Sequence, residues 1–157
     1  METGTPLPDV AVTLPDGELL PLPSLSGAAC VIYFYPKADT PGCTREAQDF
    51  SGLADAFSAV GASVLGISKD TPGKLGKFAG KHGLSVQLAA DESGAACEAF
   101  GVWGEKQLYG RTYLGIERAT FLFGSDGRLV QAWRKVKVAG HADAVLAAVS
   151  DLRPPAG

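Results

Sequence analysis

The residues best placed to do chemistry are Thr40 and Cys43, preceded by a proline in the spacing Pro36-x-x-x-Thr40-x-x-Cys43. A cysteine attacks as its thiolate, so the first question is what would favour the anion here. The run Cys30-Val31-Ile32-Tyr33-Phe34-Tyr35 is β-branched and aromatic without polar alternation, which predicts a buried strand, and Pro36 ends it. Thr40 suits a helix N-cap and Pro41 the first helical position, so Gly42 and Cys43 fall in the first turn. Ala47, Phe50, Ala54 and Phe57 recur at helical spacing, predicting one amphipathic helix from Pro41 to Ser58. Cys43 then sits among unpaired backbone N–H groups at the positive end of the helix dipole, and both favour thiolate over thiol.

The spacing resembles the active-site signature of the peroxiredoxins. Tyr33-Phe34-Tyr35-Pro36-Lys37 with Thr40-Pro41-Gly42-Cys43-Thr44-x-Glu46 is similar to the PrxQ branch, also called bacterioferritin comigratory proteins. Gly115-Ile116-Glu117-Arg118-Ala119-Thr120-Phe121-Leu122 resembles the segment in which that branch carries its active-site arginine. Ala132-Trp133-Arg134-Lys135-Val136-Lys137-Val138-x-Gly140-His141 is also similar to it, so the resemblance covers nearly the whole chain in order. It implies a peroxidase, acting in antioxidant defence, that reduces hydrogen peroxide and organic hydroperoxides through a Cys43 sulfenic acid. Thr40 would position the peroxide, Pro36 would shield the pocket and Arg118 would supply the cation. The implied reductant is thioredoxin or another thiol. The implied assembly is a monomer, with a weak dimer allowed.

Elementary chemistry supports those roles. A thiolate attacking one peroxide oxygen in line needs the developing charge on the other oxygen stabilised. A threonine hydroxyl can both donate and accept, proline adds no competing donor, and arginine holds a permanent charge. Taken singly, each residue has a plain reading: a buried small thiol, an ordinary helix start, a solvated surface cation. The intact spacing favours the functional reading for Thr40 and Cys43, whereas spacing alone does not bring Arg118 to Cys43. Glu46 has two equal readings, as the group orienting an arginine or as an acid near a helix start.

The remaining cysteines leave the regeneration route open. Many PrxQ members carry a second cysteine five residues after the first, where this chain has Gln48, and others carry it in the helix corresponding to Thr71–His82, which contains none. Cys30 lies in the predicted central strand and reads as structural. Cys97, among Ala95, Ala96, Ala99 and Phe100, reads equally as a resolving thiol or a core residue. A one-cysteine and a two-cysteine mechanism both stand.

The chain has 157 residues, 46% of them hydrophobic, enough for one core, and a single domain over 1–157 is expected. A net charge of −3 without a basic run argues against nucleic acid. The N-terminus shows no basic and apolar leader pattern and no stretch is long enough to span a bilayer, so a cytoplasmic protein without a membrane partner is expected. No metal-ligand spacing and no cofactor motif is present. His82 and His141 read as surface or helix-end residues. A disulfide reductase would need Cys-x-x-Cys where this chain has Thr40-Pro41-Gly42-Cys43, and a cysteine hydrolase would need a histidine base. A thioredoxin-fold redox or binding module without peroxidase activity is the alternative.

Positioning these residues requires a framework. A hairpin is predicted around Pro15-Asp16-Gly17, a second buried strand over Ala62–Ser68, a helix over Thr71–His82 stopped by Gly83, and a strand over Leu84–Ala89. A brief helix follows within Asp91–Phe100, then a loop from Gly101 to Gly115. Strands Thr120–Phe123 and Leu129–Trp133 flank a turn, and a helix over Ala142–Leu152 is ended by Pro154-Pro155. That order implies an α/β fold, a mixed sheet flanked by helices with an N-terminal β-hairpin. The resemblance makes it thioredoxin-like.

Overall fold

The turn at Pro15-Asp16-Gly17 opens the fold, joining β1 (Ala11–Thr13) to its antiparallel neighbour β2 (Leu19–Pro21) in the computed structural model, which describes residues 1–152. The chain continues through β3 (Ala29–Phe34), α1 (Pro41–Gly52), α2 (Ala54–Ala59), β4 (Ala62–Ser68), α3 (Pro72–His82), β5 (Gln87–Ala90) and α4 (Ala95–Ala99). It ends with β6 (Trp103–Leu108), β7 (Arg111–Ile116), β8 (Ala119–Phe123), β9 (Leu129–Trp133) and α5 (His141–Ser150). The expected proline stop at 154–155 lies outside the described residues.

Seven strands form one sheet in the order β2-β1-β5-β4-β3-β8-β9. The apolar strand β3 lies inside it, parallel to β4 and antiparallel to β8, so both of its edges are hydrogen-bonded. Alternation along β3 divides the core in two. Cys30, Ile32 and Phe34 face one layer with Cys97, Phe100, Phe121 and Phe123. Val31, Tyr33 and Tyr35 face the other with Cys43, Phe50, Phe57, Phe78 and Val145. The second layer is the one that α1 covers.

Several elements differ from expectation for identifiable reasons. The single helix predicted from Pro41 to Ser58 is two, broken at Leu53 (φ −102°, ψ 8°). Gly52 is a weak helix former, and Ser51 bonds elsewhere: its hydroxyl accepts the N–H groups of Ser85 and Val86, each at 3.1 Å, and its carbonyl accepts from the Ser85 hydroxyl. Those bonds hold 84–86 as a connection, and β5 starts only at Gln87.

The stretch expected as a loop from Gly101 to Gly115 is largely the hairpin β6–β7, a separate two-stranded sheet. Its turn has Tyr109 at φ 52° and Gly110 at φ 76°, the paired positive values that suit the twist of a tight hairpin. Within β7 only Ile116 is buried, which is why no apolar alternation announces the strand. The capped helix α3 forms where expected: Thr71 accepts the Lys74 N–H at 3.2 Å, and Gly83 closes it in the left-handed conformation.

Candidate active site

The helix start after β3 carries the thiol. Cys43 lies in the first turn of α1 and is buried, with its Sγ 3.3 Å from Nη2 of Arg118. Arg118 comes from the junction of β7 and β8, and its other terminal nitrogen, Nη1, donates to Glu46 Oε1 at 2.7 Å. Glu46 follows Cys43 by three positions on one helix, so the two side chains share a face and converge on one guanidinium. Gly42 leaves room for it: a Cβ there would lie 3.2 Å from Nη2.

Burial sets the electrostatics of this pair. Desolvation pushes the Glu46 carboxyl up to about 7 against the pull of Arg118, with Asp49 adding to the rise. Its Oε2 is buried without a hydrogen-bond partner among the described residues, as are the hydroxyl oxygens of Tyr33 and Tyr35 in the same layer. Burial alone would weaken the Arg118 cation, but Glu46 and Cys43 beside it outweigh that and hold its pKa above the ordinary arginine value. The guanidinium therefore stays charged beside the sulfur.

Thr40 occupies the N-cap position with extended backbone (φ −95°, ψ 156°), but its hydroxyl does not cap the helix as expected. It donates to the Lys37 carbonyl at 2.7 Å. That commits its proton to the loop and leaves its lone pairs free to accept. Pro36 is half-buried in the same loop, just after Tyr35, whose N–H donates to the Ile67 carbonyl at 3.2 Å.

The other thiols are on the far face of the sheet. Cys97 is fully buried in α4, where the N–H groups of Ala96 and Cys97 donate to the buried Asp91 carboxylate at 3.1 and 2.9 Å. Burial pushes its thiol well up, and Asp91 adds to the effect. Cys30 lies in the same layer, pushed up to about 12 by burial. All three cysteines are free thiols.

Both histidines lie at helix ends, one of the two places expected, and both are engaged there. His82 at the end of α3 places Nε2 2.8 Å from Asp39 Oδ1. His141 opens α5 but is buried, with Nε2 2.7 Å from Thr120 Oγ1 and its ring edge-on to Phe50 and Trp133. Desolvation lowers its pKa to about 4, helped by the Arg118 charge. Sequence reasoning missed this burial because Gly140-His141 reads as an ordinary helix start. It also missed Asp70, whose carboxylate accepts the Ala38 N–H of the loop before Cys43 at 2.8 Å. The Ser68-x-Asp70 spacing at a strand end was the available signal.

Among the described residues no group of three or more histidine, cysteine or acidic side chains is arranged to hold a metal, and no helix is long and apolar enough to cross a membrane. A concavity of about 700 Å³ between Ala28, Gly61, Ser125 and Leu152 includes none of Pro36, Thr40, Cys43 or Arg118.

A buried helix-start cysteine held against an arginine, packed on a mixed α/β sheet, is an arrangement that could serve thiol chemistry. Comparison with known proteins narrows the class. The AhpC/TSA family model matches residues 3–132. Peroxiredoxin Bcp of Xanthomonas campestris is 50% identical over 141 residues, 90% of this chain and 88% of that protein. Peroxiredoxin Bcp of Bacillus subtilis is 42% identical over 152 residues, 97% of each chain. A solved structure of the X. campestris bacterioferritin comigratory protein, studied for its alkyl peroxide reduction activity, superposes with a TM-score of 0.87 at 47% identity, covering 94% of this chain and 97% of that one. The chain belongs to the AhpC/TSA family and, within it, to the Bcp/PrxQ peroxiredoxins, thiol peroxidases with a thioredoxin-like fold. Family membership implies a peroxide substrate and a thiol reductant. The alternative of a redox or binding module without peroxidase activity is not favoured.

Proposed function

We propose that this protein reduces hydrogen peroxide and organic hydroperoxides by a one-cysteine mechanism at Cys43. The observation that carries the reading is the 3.3 Å contact between Arg118 Nη2 and Cys43 Sγ, which sets a fixed cation beside the nucleophile. The Cys43 thiolate attacks the nearer peroxide oxygen: an S–O bond forms as the O–O bond breaks, sulfur is oxidised to the sulfenic acid, and the departing oxygen leaves as water or alcohol once protonated. Arg118 stabilises the charge that moves from sulfur to the leaving oxygen. Thr40, its proton engaged by Lys37, accepts a hydrogen bond from the hydroperoxide O–H, and Pro36 shields the sulfur without offering a donor.

Regeneration uses an external thiol. It attacks the Cys43 sulfenic sulfur, releasing water and forming a mixed disulfide, and a second thiol frees Cys43 by exchange. Thioredoxin or a small thiol fills this role. What supports it is the placement of Cys97 and Cys30 in the opposite core layer from Cys43. A cytoplasmic monomer accords with this assignment.

Replacing Cys43 by Ser tests the proposal. Peroxide consumption with thioredoxin or dithiothreitol as reductant falls to the uncatalysed rate, while circular dichroism matches the wild type. A variant that retains most of the activity overturns the assignment.

A further inference from the structure

The loop from residue 35 to 40 carries Pro36 and Thr40 and delivers the chain into Cys43. Most of its length is held by one segment, 67–82. Tyr35 N–H is bonded to Ile67, at the end of β4. In the middle, Ala38 is buried and its N–H donates to Asp70 Oδ2 at 2.8 Å. The same oxygen accepts the hydroxyl of the fully buried Ser68 at 2.8 Å, and Asp70 Oδ1 pairs with Lys74 Nζ at 3.2 Å. The Asp70 side chain is only 9% exposed, so these bonds operate with little competition from water.

A second anchor sits one residue on. Asp39 adopts φ 63°, a left-handed conformation that side chains other than glycine seldom take. Its carboxylate forks across the far end of α3, with Oδ2 2.9 Å from Lys81 Nζ and Oδ1 2.8 Å from His82 Nε2. The loop is thus tied to both ends of α3. In the stretch between Ala38 and Cys43, the Thr40 hydroxyl bonds only within the loop, to Lys37.

From this geometry we infer that Asp70 is a positioning residue for the peroxide reaction, holding the Pro36–Thr40 loop in register with Cys43 through the Ala38 amide, with Asp39 as a second tie to α3. The inference rests on the peroxidase reading and deepens it. Losing the Ala38 bond lets Pro36 and Thr40 drift from the sulfur, while the Cys43–Arg118 contact, made by other elements, persists. Misplacement by about 1 Å costs a positioned reaction on the order of a hundredfold.

Two rates measured on one protein distinguish positioning from general damage. Oxidation of Cys43 by hydrogen peroxide requires the loop, whereas alkylation of Cys43 by iodoacetamide reports only how readily the buried sulfur is reached. Asp70→Ala slows peroxide oxidation by about tenfold or more, while alkylation stays within about twofold of wild type. Asp70→Asn, whose amide oxygen still accepts from Ala38 but lacks the charge that pairs with Lys74, restores most of the peroxide rate. Should Asp70→Ala fold poorly, Asp70→Ser, with a hydroxyl one bond too short to reach Ala38, takes its place. An unchanged peroxide rate, parallel falls in both rates, or an Asn variant as slow as the Ala variant overturns the inference. A wild type oxidised no faster than free cysteine instead overturns the peroxidase reading, and this inference with it.

Discussion

Cys43 and Cys97 are packed on opposite faces of the seven-stranded sheet, Cys43 under α1 with Tyr33, Tyr35 and Phe50, Cys97 in α4 with Ile32, Phe34 and Phe121. A disulfide requires Cα atoms within roughly 7 Å and suitably aimed Cβ vectors. Strand β3 stands between these two thiols. Joining them would require α1 or α4 to leave the core and pass the sheet edge, exposing aromatic residues that are now buried.

The expected outcome is that one equivalent of peroxide produces no Cys43–Cys97 crosslinked peptide. Cys97→Ser turns over like wild type with an external thiol. Excess peroxide without thiol drives Cys43 on to sulfinic acid. Peptide mass spectrometry reads both products. A crosslink formed as fast as turnover would establish the two-cysteine route.

Arg118 serves two partners at once, and replacing it separates them. Arg118→Ala removes the cation from the sulfur and slows peroxide oxidation of Cys43 by about a hundredfold, the scale of losing one charge-stabilising donor. Arg118→Lys restores little, because a single ammonium does not span Glu46 and Cys43 as the planar fork does. Stopped-flow oxidation of the two variants checks this, and a lysine variant at wild-type rate would show that charge alone suffices.

The parts of this architecture that could be read from sequence are those set by local or periodic signals. Strand β3 is an uninterrupted apolar run and β4 is rich in apolar residues, α3 has Thr71 and Gly83 as caps, and Cys43 falls in a first turn because Thr40-Pro41 starts a helix. What could not be read depends on partners far along the chain. The break at Leu53 depends on Ser51 meeting Ser85, and the Arg118–Cys43 contact spans 75 positions. The hairpin β6–β7 hid because β7 is exposed until its last two residues and buries no regular face. His141 carries no local sign of what it touches, and the Ser68-x-Asp70 spacing hints at Asp70 without disclosing its bond to Ala38.

Two buried titrating groups near the site oppose each other in pH. The Glu46 pKa is raised from 4.5 to about 7 on folding, so its contribution is fully present below about 4.5 and is lost as pH rises through 7. The His141 pKa is lowered from 6.5 to about 4, so its contribution is present above 6.5 and is lost as pH falls through 4. In wild type the two slopes partly cancel between pH 4.5 and 6.5. Glu46→Gln, which keeps an acceptor for Arg118, leaves a stability that climbs from pH 4 to 6.5. His141→Asn leaves one that declines from pH 4.5 to 7. Urea midpoints across that range check both signs, and parallel profiles for the two variants would refute the assignment.

Tyr33 and Phe50 stack in the same core layer as the nucleophile. Tyr33 lies across Gly66 of the neighbouring strand, so close that a Cβ on Gly66 would sit 2.5 Å from Tyr33 Cζ and 2.6 Å from its hydroxyl oxygen. The ring cannot move aside freely: it is fully buried and stacked on Phe50 of α1 at 4.6 Å between centroids. Phe50 in turn packs against Phe57 and against the edge of His141. Gly66→Ala therefore forces the Tyr33–Phe50 stack toward α1, at a cost of about 1–3 kcal/mol from overpacking. Because α1 carries both Cys43 and Glu46, that displacement also slows peroxide oxidation. The double variant Gly66→Ala with Tyr33→Phe tests the cause, since removing the hydroxyl relieves the contact at 2.6 Å though not the one at Cζ. It recovers part of both stability and rate. A double variant no better than Gly66→Ala in either would place the damage somewhere other than the Tyr33 ring.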